Sequence, residues 1–431
     1  MSLKDKLAQG KAVQSVIGLG YVGLPLAVEF AVAGLETVGI DIDPGKVGKV
    51  NAGDSYIGDV KSEELASVVS SGKLRATTDF SVLSETDTIN IAVPTPLRKT
   101  KDPDISYIVA ALKEIRKYLH KGQLIILEST TYPGTTEEVM MPLLEESGLK
   151  AGKDFYLAFS PERVDPGNEK YKTRNIPKVV GGVTPECTEL AASLYRSAGM
   201  NPVPVNSSKV AETVKLLENT FRSVNIGLVN EIALMCNRMG INVWEVIDAA
   251  ATKPFGYMPF YPGPGLGGHC IPIDPFYLSW KAKQSGFDAR FIELAGAING
   301  DMPAQVVIRV SEALNDRKKC MNGAKILIMG VSYKSDIDDT RESPAYDIIR
   351  LLQKRGADVS WYDPFVEKLD GDVDDVEEIE YSAGNLDKID CAIIVTGHKE
   401  VDYDMLVKHC PLIFDSRNVL KNFTSENIVR L

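Results

Sequence analysis

The chain has 431 residues, 44% hydrophobic and 25% charged, which is ordinary for a globular protein and too long for a single core. Its net charge of −11 supplies no broad basic surface, so we expect neither nucleic acid nor membrane as a partner. There is no apolar run of bilayer length and no recognisable signal peptide, and the six cysteines show no disulfide or zinc spacing. We therefore expect a cytoplasmic protein of two or three domains without a metal site.

The first predicted elements form a dinucleotide-binding fingerprint. Val13–Ile17 reads as a buried strand, and Gly18-Leu19-Gly20-Tyr21-Val22-Gly23 follows it and opens an apolar helix that runs to about Ala33. A second strand, Thr37–Ile40, ends at Asp41. Glycines allow a tight turn and close approach of a pyrophosphate, while the acid accepts hydrogen bonds from a ribose and repels a 2′-phosphate. The pattern predicts a site for NAD rather than NADP.

Three more strands continue the β/α alternation. They are predicted at Thr88–Val93, Leu124–Leu127 and Phe155–Phe159. Because ligands collect at the carboxyl ends of parallel strands, the segments that follow these strands are expected to rim the site. These segments are Pro94-Thr95-Pro96, Glu128-Ser129-Thr130 and Ser160-Pro161-Glu162-Arg163.

A long helix is predicted from about Ser208 to Met239, since this stretch has no proline and only one glycine. It would be roughly 45 Å long, a length typical of helices that bridge domains or pack against a partner subunit. Lys215 and Asn219 are four residues apart and share a helical face. A cation beside an amide donor suits stabilisation of an oxyanion, although such a pair also occurs on solvated helix faces.

A glycine-, proline- and aromatic-rich segment follows and leads into Gly267-Gly268-His269-Cys270, with Asp274 four residues further on. This composition does not favour packing in a hydrophobic core and is typical of a loop that binds a ligand. A thiolate held there could act as a nucleophile, and the alternative is a buried, unreactive thiol. His269 is given no role.

The last third predicts a second nucleotide-binding fold, preceded by a polar linker at Arg317–Gly323. Its predicted elements are strands at Lys325–Met329, Asp358–Tyr362, Cys391–Val395 and Leu412–Phe414 and a helix at Ala345–Lys354. Ser332-Tyr333-Lys334-Ser335 replaces the phosphate-binding glycines, and Lys334, Arg341 and Arg417 supply positive charge. We therefore expect a second ligand, a nucleotide diphosphate.

In this order, the motifs resemble the UDP-glucose/GDP-mannose dehydrogenase family over essentially the whole chain. The resemblance implies an α/β fold in which two Rossmann-like, doubly wound parallel-sheet domains are joined by a central helical domain with one long helix. We expect an NAD-binding domain at 1–206, a helical, dimerising domain with the cysteine loop at 207–317 and a UDP-sugar-binding domain at 318–431. A homodimer is expected to form through the central helix.

The sequence of one motif favours a particular branch of the family. Residues 160–167 read Ser-Pro-Glu-Arg-Val-Asp-Pro-Gly, which is similar to the UDP-N-acetylhexosamine dehydrogenases. The UDP-glucose enzymes read more like Ser-Pro-Glu-Phe-Leu-Arg-Glu-Gly, so Pro166 inherits no catalytic role. The nearest branch contains the UDP-N-acetylglucosamine 6-dehydrogenases, which feed surface-polysaccharide synthesis. UDP-N-acetylmannosamine, UDP-N-acetylgalactosamine and UDP-glucose remain alternatives.

The resemblance also implies roles for individual residues. The Cys270 sulfur would hold the sugar as a thiohemiacetal and then a thioester, with Lys215 and Asn219 stabilising the oxyanions and Lys215 also assisting the first proton removal. Glu162 would be the base for hydrolysis, assisted by Thr130 and Asp274. The cofactor contacts would be Gly18, Gly20, Val22, Gly23, Asp41, Lys46, Thr95 and Arg341. The substrate contacts would be Arg163, Phe260, Gly267, Tyr333, Lys334 and Arg417.

Two alternatives come from other classes of protein. A single-step β-hydroxyacid dehydrogenase would share an NAD fold and a lysine/asparagine helix but would transfer one hydride and need no cysteine. A non-catalytic nucleotide-binding protein would retain the fold alone. The number of NADH molecules formed per substrate separates these classes: two, one or none.

Overall fold

The computed structural model describes residues 1–97, 102–164, 171, 173–268, 271–369, 373 and 376–431. By its internal contacts the chain divides into two compact units. The first comprises 1–218 and 276–287, and the second comprises 219–275 and 288–431. Each unit contains one sheet built around parallel strands.

The sheet of the first unit has eight strands in the order β3-β2-β1-β4-β5-β6-β7-β8. All neighbours are parallel except the antiparallel pair β6 and β7. The strands are β1 Val13–Ile17, β2 Glu36–Ile40, β3 Leu74–Thr77, β4 Thr88–Ile91, β5 Leu124–Leu127, β6 Tyr156–Phe159, β7 Lys178–Gly182 and β8 Pro202–Pro204.

Alternation along the buried strands produces two cores, one on each face of this sheet. In β5, Leu124 and Ile126 join one apolar cluster, whereas Ile125 and Leu127 join the other, and all four are fully buried. Strands buried on both faces read as continuous apolar runs rather than as alternating ones, which is why the sequence Leu-Ile-Ile-Leu identifies β5 so clearly.

The sheet of the second unit has six parallel strands in the order β11-β10-β9-β12-β13-β14. They are β9 Lys325–Met329, β10 Asp358–Tyr362, β11 Glu377–Glu378, β12 Cys391–Ile394, β13 Ile413–Asp415 and β14 Ile428–Arg430. Ile326 and Ile328 face one apolar cluster, and Leu327 and Met329 face the other. Both sheets therefore have the doubly wound construction of Rossmann-like folds.

Helices complete both units. They are α1 Leu3–Ala8, α2 Gly23–Val32, α3 Pro44–Ala52, α4 Ser62–Ser70, α5 Ser106–Tyr118, α6 Met141–Glu145, α7 Pro185–Ser197, α8 Ser208–Met239, α9 Val243–Ala251, α10 Asp274–Gln284, α11 Arg290–Asp316, α12 Pro344–Lys354, α13 Ala383–Leu386 and α14 Tyr403–His409. A 3₁₀ helix spans Phe80–Glu85 and a π-helical turn spans Thr136–Met140. In the described part of the chain, none of the helices is long and apolar enough to cross a bilayer.

The predicted fold class is confirmed, and several elements have the predicted bounds. β1, β5, β9 and β10 begin and end where the sequence places them, and the long helix α8 is Ser208–Met239 as predicted. Strands β3, β7, β8, β11 and β14 were not predicted from the sequence, and β7 and β8 among them extend the first sheet beyond β6. β7 is difficult to recognise because Lys-Val-Val-Gly-Gly begins with a charged residue and ends with two glycines.

Candidate active site

The glycine-rich turn between β1 and α2 has the geometry that its sequence predicts. Gly18 has a φ of +90°, and a Cβ there would lie 2.5 Å from the Ala92 carbonyl oxygen. A Cβ at Gly23 would lie 1.8 Å from the Gly18 carbonyl oxygen, whereas one at Gly20 would meet no atom within 4 Å. Gly18 and Gly23 thus allow the turn to close. Gly20 leaves an open face at the start of α2, and a pyrophosphate fits such a face.

Asp41, directly after β2, holds this turn through its carboxylate. Its side-chain Oδ2 accepts a hydrogen bond from the Leu19 N–H at 2.8 Å, and Oδ1 accepts one from the Asp43 N–H at 3.0 Å. The residue is 8% exposed, and the Lys46 ammonium lies 3.9 Å from Oδ2. Each carboxylate oxygen has a second lone pair for a ribose hydroxyl. These residues therefore fit an NAD molecule.

The loops after β4 and β5 are fixed by hydrogen bonds. The Tyr277 hydroxyl donates to the Thr95 carbonyl oxygen at 2.8 Å, and the Ser129 hydroxyl donates to the Val93 carbonyl oxygen at 2.7 Å. Thr130 follows Ser129 and is partly exposed. The structure thus places Thr95 and Thr130 at the carboxyl ends of adjacent strands, as the sequence predicts.

A buried carboxylate on α8 anchors the turn that follows Thr130. Glu212 accepts hydrogen bonds from the Gly134 N–H at 2.6 Å and the Thr136 N–H at 2.9 Å. Burial raises the pKa of Glu212 to about 7, although these donors oppose the rise. No role for Glu212 was predicted from the sequence. It stands one helical turn before Lys215.

Glu162, the predicted base, has three hydrogen-bond donors among the residues that the structure describes. Its Oε1 accepts from the backbone N–H groups of Arg163 at 2.7 Å and Val164 at 2.9 Å, and its Oε2 lies 3.1 Å from the Lys178 ammonium. Burial pushes the pKa of Glu162 up, but Lys178 and the two N–H groups outweigh it, so the pKa is lowered. Glu162 is therefore a carboxylate at neutral pH. Sequence reasoning missed Lys178, which lies on the unpredicted strand β7.

Arg163 is engaged by protein groups. Its guanidinium forms two hydrogen bonds to the Glu218 carboxylate, at 3.2 and 2.6 Å, and one to the Pro177 carbonyl oxygen at 2.7 Å. A two-point contact of this kind fixes the orientation of the planar group. Arg163 is therefore rigidly placed, and its predicted contact with the sugar stays a prediction.

Lys215 and Asn219 lie four residues apart on α8 and have different surroundings. Lys215 is 8% exposed, and its ammonium has no ion-pair or hydrogen-bond partner among the residues that the structure describes. Asn219 is 5% exposed, and its Nδ2 donates to the Asp274 carboxylate at 2.5 Å. The structure therefore brings together Asn219 and Asp274. Lys215 retains its capacity to donate to a ligand.

The predicted nucleophile, Cys270, and its neighbour His269 lie outside the described residues, as do residues 165–167 of the motif that begins at Ser160. The loop before the cysteine is described. The Gly268 N–H donates to the Arg341 carbonyl oxygen at 3.1 Å. A Cβ at Gly267 would lie 2.6 Å from the Cβ of Tyr333, and one at Gly268 would lie 2.8 Å from its ring. These glycines allow the loop to pack directly against Tyr333.

The second unit contains a polar cavity of about 310 Å³. It is lined by Tyr333, Lys334, Ser335, Thr396, Gly397, Arg417 and Val419. The Arg417 Nε donates to the Val395 carbonyl oxygen at 2.9 Å. Burial lowers the pKa of Arg417 to about 10, so the group remains cationic at neutral pH. The cavity gathers three of the six predicted substrate residues and has the charge to hold a diphosphate.

The other predicted residues of this unit lie outside the cavity lining. Phe260 packs against Phe221 with the ring centroids 5.7 Å apart. Arg341, predicted to contact the cofactor, forms a two-point ion pair with Asp339, its Nη2 lying 2.6 Å from Oδ2. A contact between Arg341 and NAD stays a prediction.

A buried Asp–His pair supports the loop that carries Tyr333 and Lys334, and the sequence reading missed it. The Asp363 Oδ2 accepts from the Val331 N–H at 2.8 Å and from His398 Nε2 at 3.0 Å. His398 Nδ1 accepts from the Asp336 N–H at 3.0 Å, so the network assigns the hydrogen of the ring to Nε2. Burial raises the pKa of Asp363, but the hydrogen bonds from His398 and the backbone outweigh it and lower the pKa.

One Rossmann-like unit has a dinucleotide-binding turn, and the other has a cationic cavity. Together they define an NAD-dependent dehydrogenase with a nucleotide-linked substrate. The chain belongs to the UDP-glucose/GDP-mannose dehydrogenase family. It matches the NAD binding domain of the family over residues 13–199, the central domain over 209–301 and the UDP binding domain over 327–422.

Individual relatives are similar over most of the chain. A UDP-N-acetyl-D-glucosamine 6-dehydrogenase of Pseudomonas aeruginosa is 41% identical over 356 residues, which is 82% of each chain. A UDP-N-acetyl-D-mannosamine dehydrogenase of Pyrococcus horikoshii is 38% identical and covers 94% of this chain and 96% of its own. A solved structure of a UDP-D-ManNAc dehydrogenase from Pyrococcus horikoshii superposes with a TM-score of 0.89 at 36% identity, over 97% of this chain and 98% of that one.

Proposed function

We propose that the protein oxidises the C6 alcohol of a UDP-N-acetylhexosamine to the carboxylate, with UDP-N-acetylglucosamine as the preferred substrate. The observation that carries the proposal is the cavity in which Arg417 and Lys334 place positive charge beside Tyr333. A diphosphate needs such charge, and the family supplies the sugar chemistry. The similarity to the Pseudomonas aeruginosa enzyme and the Glu-Arg-Val-Asp-Pro-Gly motif support the N-acetylglucosamine branch.

The conversion of an alcohol to an acid removes four electrons, so it proceeds in two oxidations. The glycine turn and Asp41 would hold NAD, and the bound cofactor would supply the hydride acceptor for each oxidation. Loss of a hydride and a proton from the alcohol gives an aldehyde, and the Cys270 thiolate adds to its carbon to form a thiohemiacetal. Loss of a second hydride leaves a thioester. Water then cleaves the C–S bond, which gives the acid and regenerates the thiol.

Residues around this chemistry have separate tasks. Lys215, buried and with no partner in the described part of the chain, stabilises the successive oxyanions together with Asn219 and assists removal of the first proton. Asp274 orients the Asn219 amide through its hydrogen bond of 2.5 Å. Glu162 accepts a proton from the hydrolytic water, and Thr130 helps to hold that water.

The experiment that tests the mechanism replaces the nucleophile. We expect Cys270→Ser to abolish formation of the acid and to leave NAD affinity nearly unchanged, since the cofactor residues are elsewhere in the sequence. NADH absorbance and product analysis measure both. Cys320→Ser changes an exposed cysteine and is the matched control. Two NADH per sugar from Cys270→Ser would refute the covalent mechanism.

UDP-N-acetylmannosamine is the second candidate substrate. Two observations favour it: the Pyrococcus horikoshii relative covers 94% of this chain, and the solved structure superposes with a TM-score of 0.89. Parallel assays with UDP-N-acetylglucosamine, UDP-N-acetylmannosamine, UDP-N-acetylgalactosamine and UDP-glucose distinguish the candidates. The highest kcat/KM with UDP-N-acetylmannosamine would overturn the preferred substrate and leave the reaction unchanged.

We also propose that the protein works in the cytoplasm as a homodimer formed through the central helices. On α8, Phe221 is 48% exposed and Leu228 is 53% exposed, and on α11 Phe291 is 79% exposed and Leu294 is 57% exposed. Large exposed apolar side chains that recur on one face of a helix, as each pair does by its spacing, indicate an interaction surface. Sedimentation of Leu228→Glu tests the interface, and a dimer as stable as the wild type would contradict it.

A further inference from the structure

A buried lysine joins two carboxylates in the first unit, and one of them is the proposed base. Lys178, the first residue of β7, has a side chain that is 4% exposed. Its ammonium lies 3.1 Å from the Glu162 Oε2 and 2.7 Å from the Glu128 Oε2. Glu128 directly follows β5. The three side chains therefore form a continuous line of charges at the end of the sheet where β5 and β6 finish and β7 begins.

The inner end of this line is Glu128, which lies among protein groups. The Glu128 side chain is fully buried, and its Oε1 accepts hydrogen bonds from the Asn90 Nδ2 at 2.7 Å and from the Tyr195 hydroxyl. The Lys178 ammonium also lies 5.4 Å from the centre of the Tyr195 ring. Burial raises the pKa of Glu128, with Lys178 and Tyr195 acting against the rise. Glu128 therefore interacts with protein groups through both of its oxygens.

The outer end of the line is Glu162, the most exposed of the three, with 14% of its side chain accessible. Buried ion pairs are seldom more stable than the apolar residues that could replace them, so burial of three charges calls for a reason other than stability. The charged and titratable groups that the described contacts bring against Glu162 and Lys178 are Glu128, Tyr195 and the Arg163–Glu218 pair. Lys178 thus bridges the base to the interior.

We propose that Lys178 is a positioning residue for thioester hydrolysis: it fixes the Glu162 carboxylate in one orientation and keeps it ionised, while Glu128 balances the charge of the lysine. The inference rests on the proposed function, in which Glu162 accepts the proton of the attacking water. Lys178 donates to one oxygen of Glu162 and the two backbone N–H groups donate to the other. The carboxylate therefore cannot rotate, and it remains available through its second lone pair.

Lys178→Met tests the proposal through the pH dependence of hydrolysis. Without the ammonium, burial dominates and the pKa of Glu162 rises. The acid limb, which is the low-pH side of the plot of hydrolysis rate against pH, therefore moves to higher pH by about 1–2 units. At neutral pH we expect hydrolysis to slow by about 100-fold. The variant then forms two NADH per subunit in a rapid burst and accumulates a covalent sugar adduct. Stopped-flow absorbance and the mass of the intact denatured protein measure these effects.

Three further variants act as controls. Lys178→Arg keeps the charge and is expected to keep the acid limb within about 0.5 unit of the wild type. Lys150→Met removes a lysine whose ion pair with Glu145, at 2.8 Å, is on the surface, and it should change nothing. If Lys178→Met does not fold, the double variant Lys178→Met/Glu128→Gln removes the charge that the single change leaves unbalanced. We expect it to fold with the acid limb still raised.

The results separate this inference from the proposed function. A folded Lys178→Met or double variant with the acid limb and hydrolysis rate of the wild type would overturn the role of Lys178. An equal slowing of both hydride steps and hydrolysis would also overturn it, because that result indicates a structural role. If the wild type itself forms no acid, or only one NADH per UDP-sugar, the proposed function fails first.

Discussion

The two Rossmann-like units share a backbone plan and differ in how they can hold a nucleotide. The strand order β3-β2-β1-β4-β5-β6 of the first unit has its counterpart in β11-β10-β9-β12-β13-β14 of the second. Gly18 and Gly330, each directly after the first strand of its sheet, have φ angles of +90° and +79°. A Cβ at either position would lie within 2.5 Å of a carbonyl oxygen, that of Ala92 or Thr396.

The difference begins two residues later. Gly20 and Gly23 in the first unit correspond to Ser332 and Ser335 in the second. α2 begins at Gly23, directly in the turn, whereas α12 begins only at Pro344. The first unit therefore presents a helix N terminus and an open glycine to a phosphate. The second unit has a cavity with Lys334 and Arg417, so side-chain charge replaces backbone N–H groups.

The aspartates that directly follow β2 and β10 also differ between the two units. Asp41 and Asp363 each accept a hydrogen bond at 2.8 Å from the backbone N–H of the residue that follows the positive-φ glycine, Leu19 or Val331. Asp41 has Lys46 beside it at 3.9 Å, whereas Asp363 is held by the buried ring of His398 at 3.0 Å. Holding the turn is thus the task common to both acids, and only Asp41 keeps the capacity to bind a ribose.

The largest effect is expected from the shared glycine. Gly18→Ala and Gly330→Ala each force a Cβ against a carbonyl oxygen at a positive φ, so each should lower the free energy of unfolding by about 2–4 kcal/mol. Chemical denaturation measures this loss. Gly20→Ala is the matched control because no atom lies within 4 Å of its Cβ. Gly20→Ala should leave the free energy of unfolding unchanged and weaken NAD binding. If all three variants were equally stable, the two glycine turns would not have the common structural role inferred for them.

Arg417→Ala should have the next largest effect and should act on one nucleotide alone. Loss of a charge-assisted contact costs about 1.5–3 kcal/mol, so we expect the UDP-sugar affinity to fall by about 10- to 150-fold with NAD affinity unchanged. Calorimetric titration of each ligand checks this. Arg350→Ala, which alters an exposed arginine 3.0 Å from Asp347, is the control. Equal losses for both ligands would contradict the division of nucleotides between the two folds.

Asp363→Asn should lower stability in a pH-dependent way. The pKa of Asp363 is lowered in the folded protein, so its contribution is complete above the unfolded pKa, near 3.9, and disappears as the pH falls through the lowered folded value. We expect the variant to be about 1–2 kcal/mol less stable at pH 7 and the gap to close in acid. Denaturation between pH 3 and pH 7 measures the gap, and a constant gap would show that the carboxylate charge is irrelevant.

Asp41→Ala should have the smallest effect, on cofactor choice. Removal of the carboxylate takes away the repulsion of a 2′-phosphate, so the preference for NAD over NADP should fall by about tenfold. The ratio of kcat/KM for the two cofactors is the measurement. An unchanged ratio would mean that Asp41 serves only to hold the glycine turn, as Asp363 does in the second unit.

The sequence predicted the fold well because local patterns determine it. The continuous apolar run of β5 and the proline-free stretch of α8 identify these elements without reference to the rest of the chain. The glycine turn and Asp41 were predictable for the same reason, since their spacing alone specifies their geometry. The strand β7 was missed because a buried lysine at its start is favourable only beside carboxylates from distant segments.

The supporting residues of the site could not be predicted for a related reason. Lys178 and Glu128 are 50 residues apart in the sequence, and Asp363 and His398 are 35 apart, so no spacing rule connects either pair. Each residue alone reads as an ordinary polar residue. Their significance arises from burial beside one another, which is a property of the folded chain.

The His398–Asp363 pair has a consequence for protein engineering. Replacement of residues 330–335 by the motif Gly-Leu-Gly-Tyr-Val-Gly would give the second unit the glycines of a dinucleotide site. It would not restore a ribose acceptor, because His398 Nε2 already donates to the Asp363 carboxylate at 3.0 Å. A designer who wished to exchange the cofactor preferences of the two halves would have to remove the imidazole as well, and with it the contact that holds the Asp336 N–H.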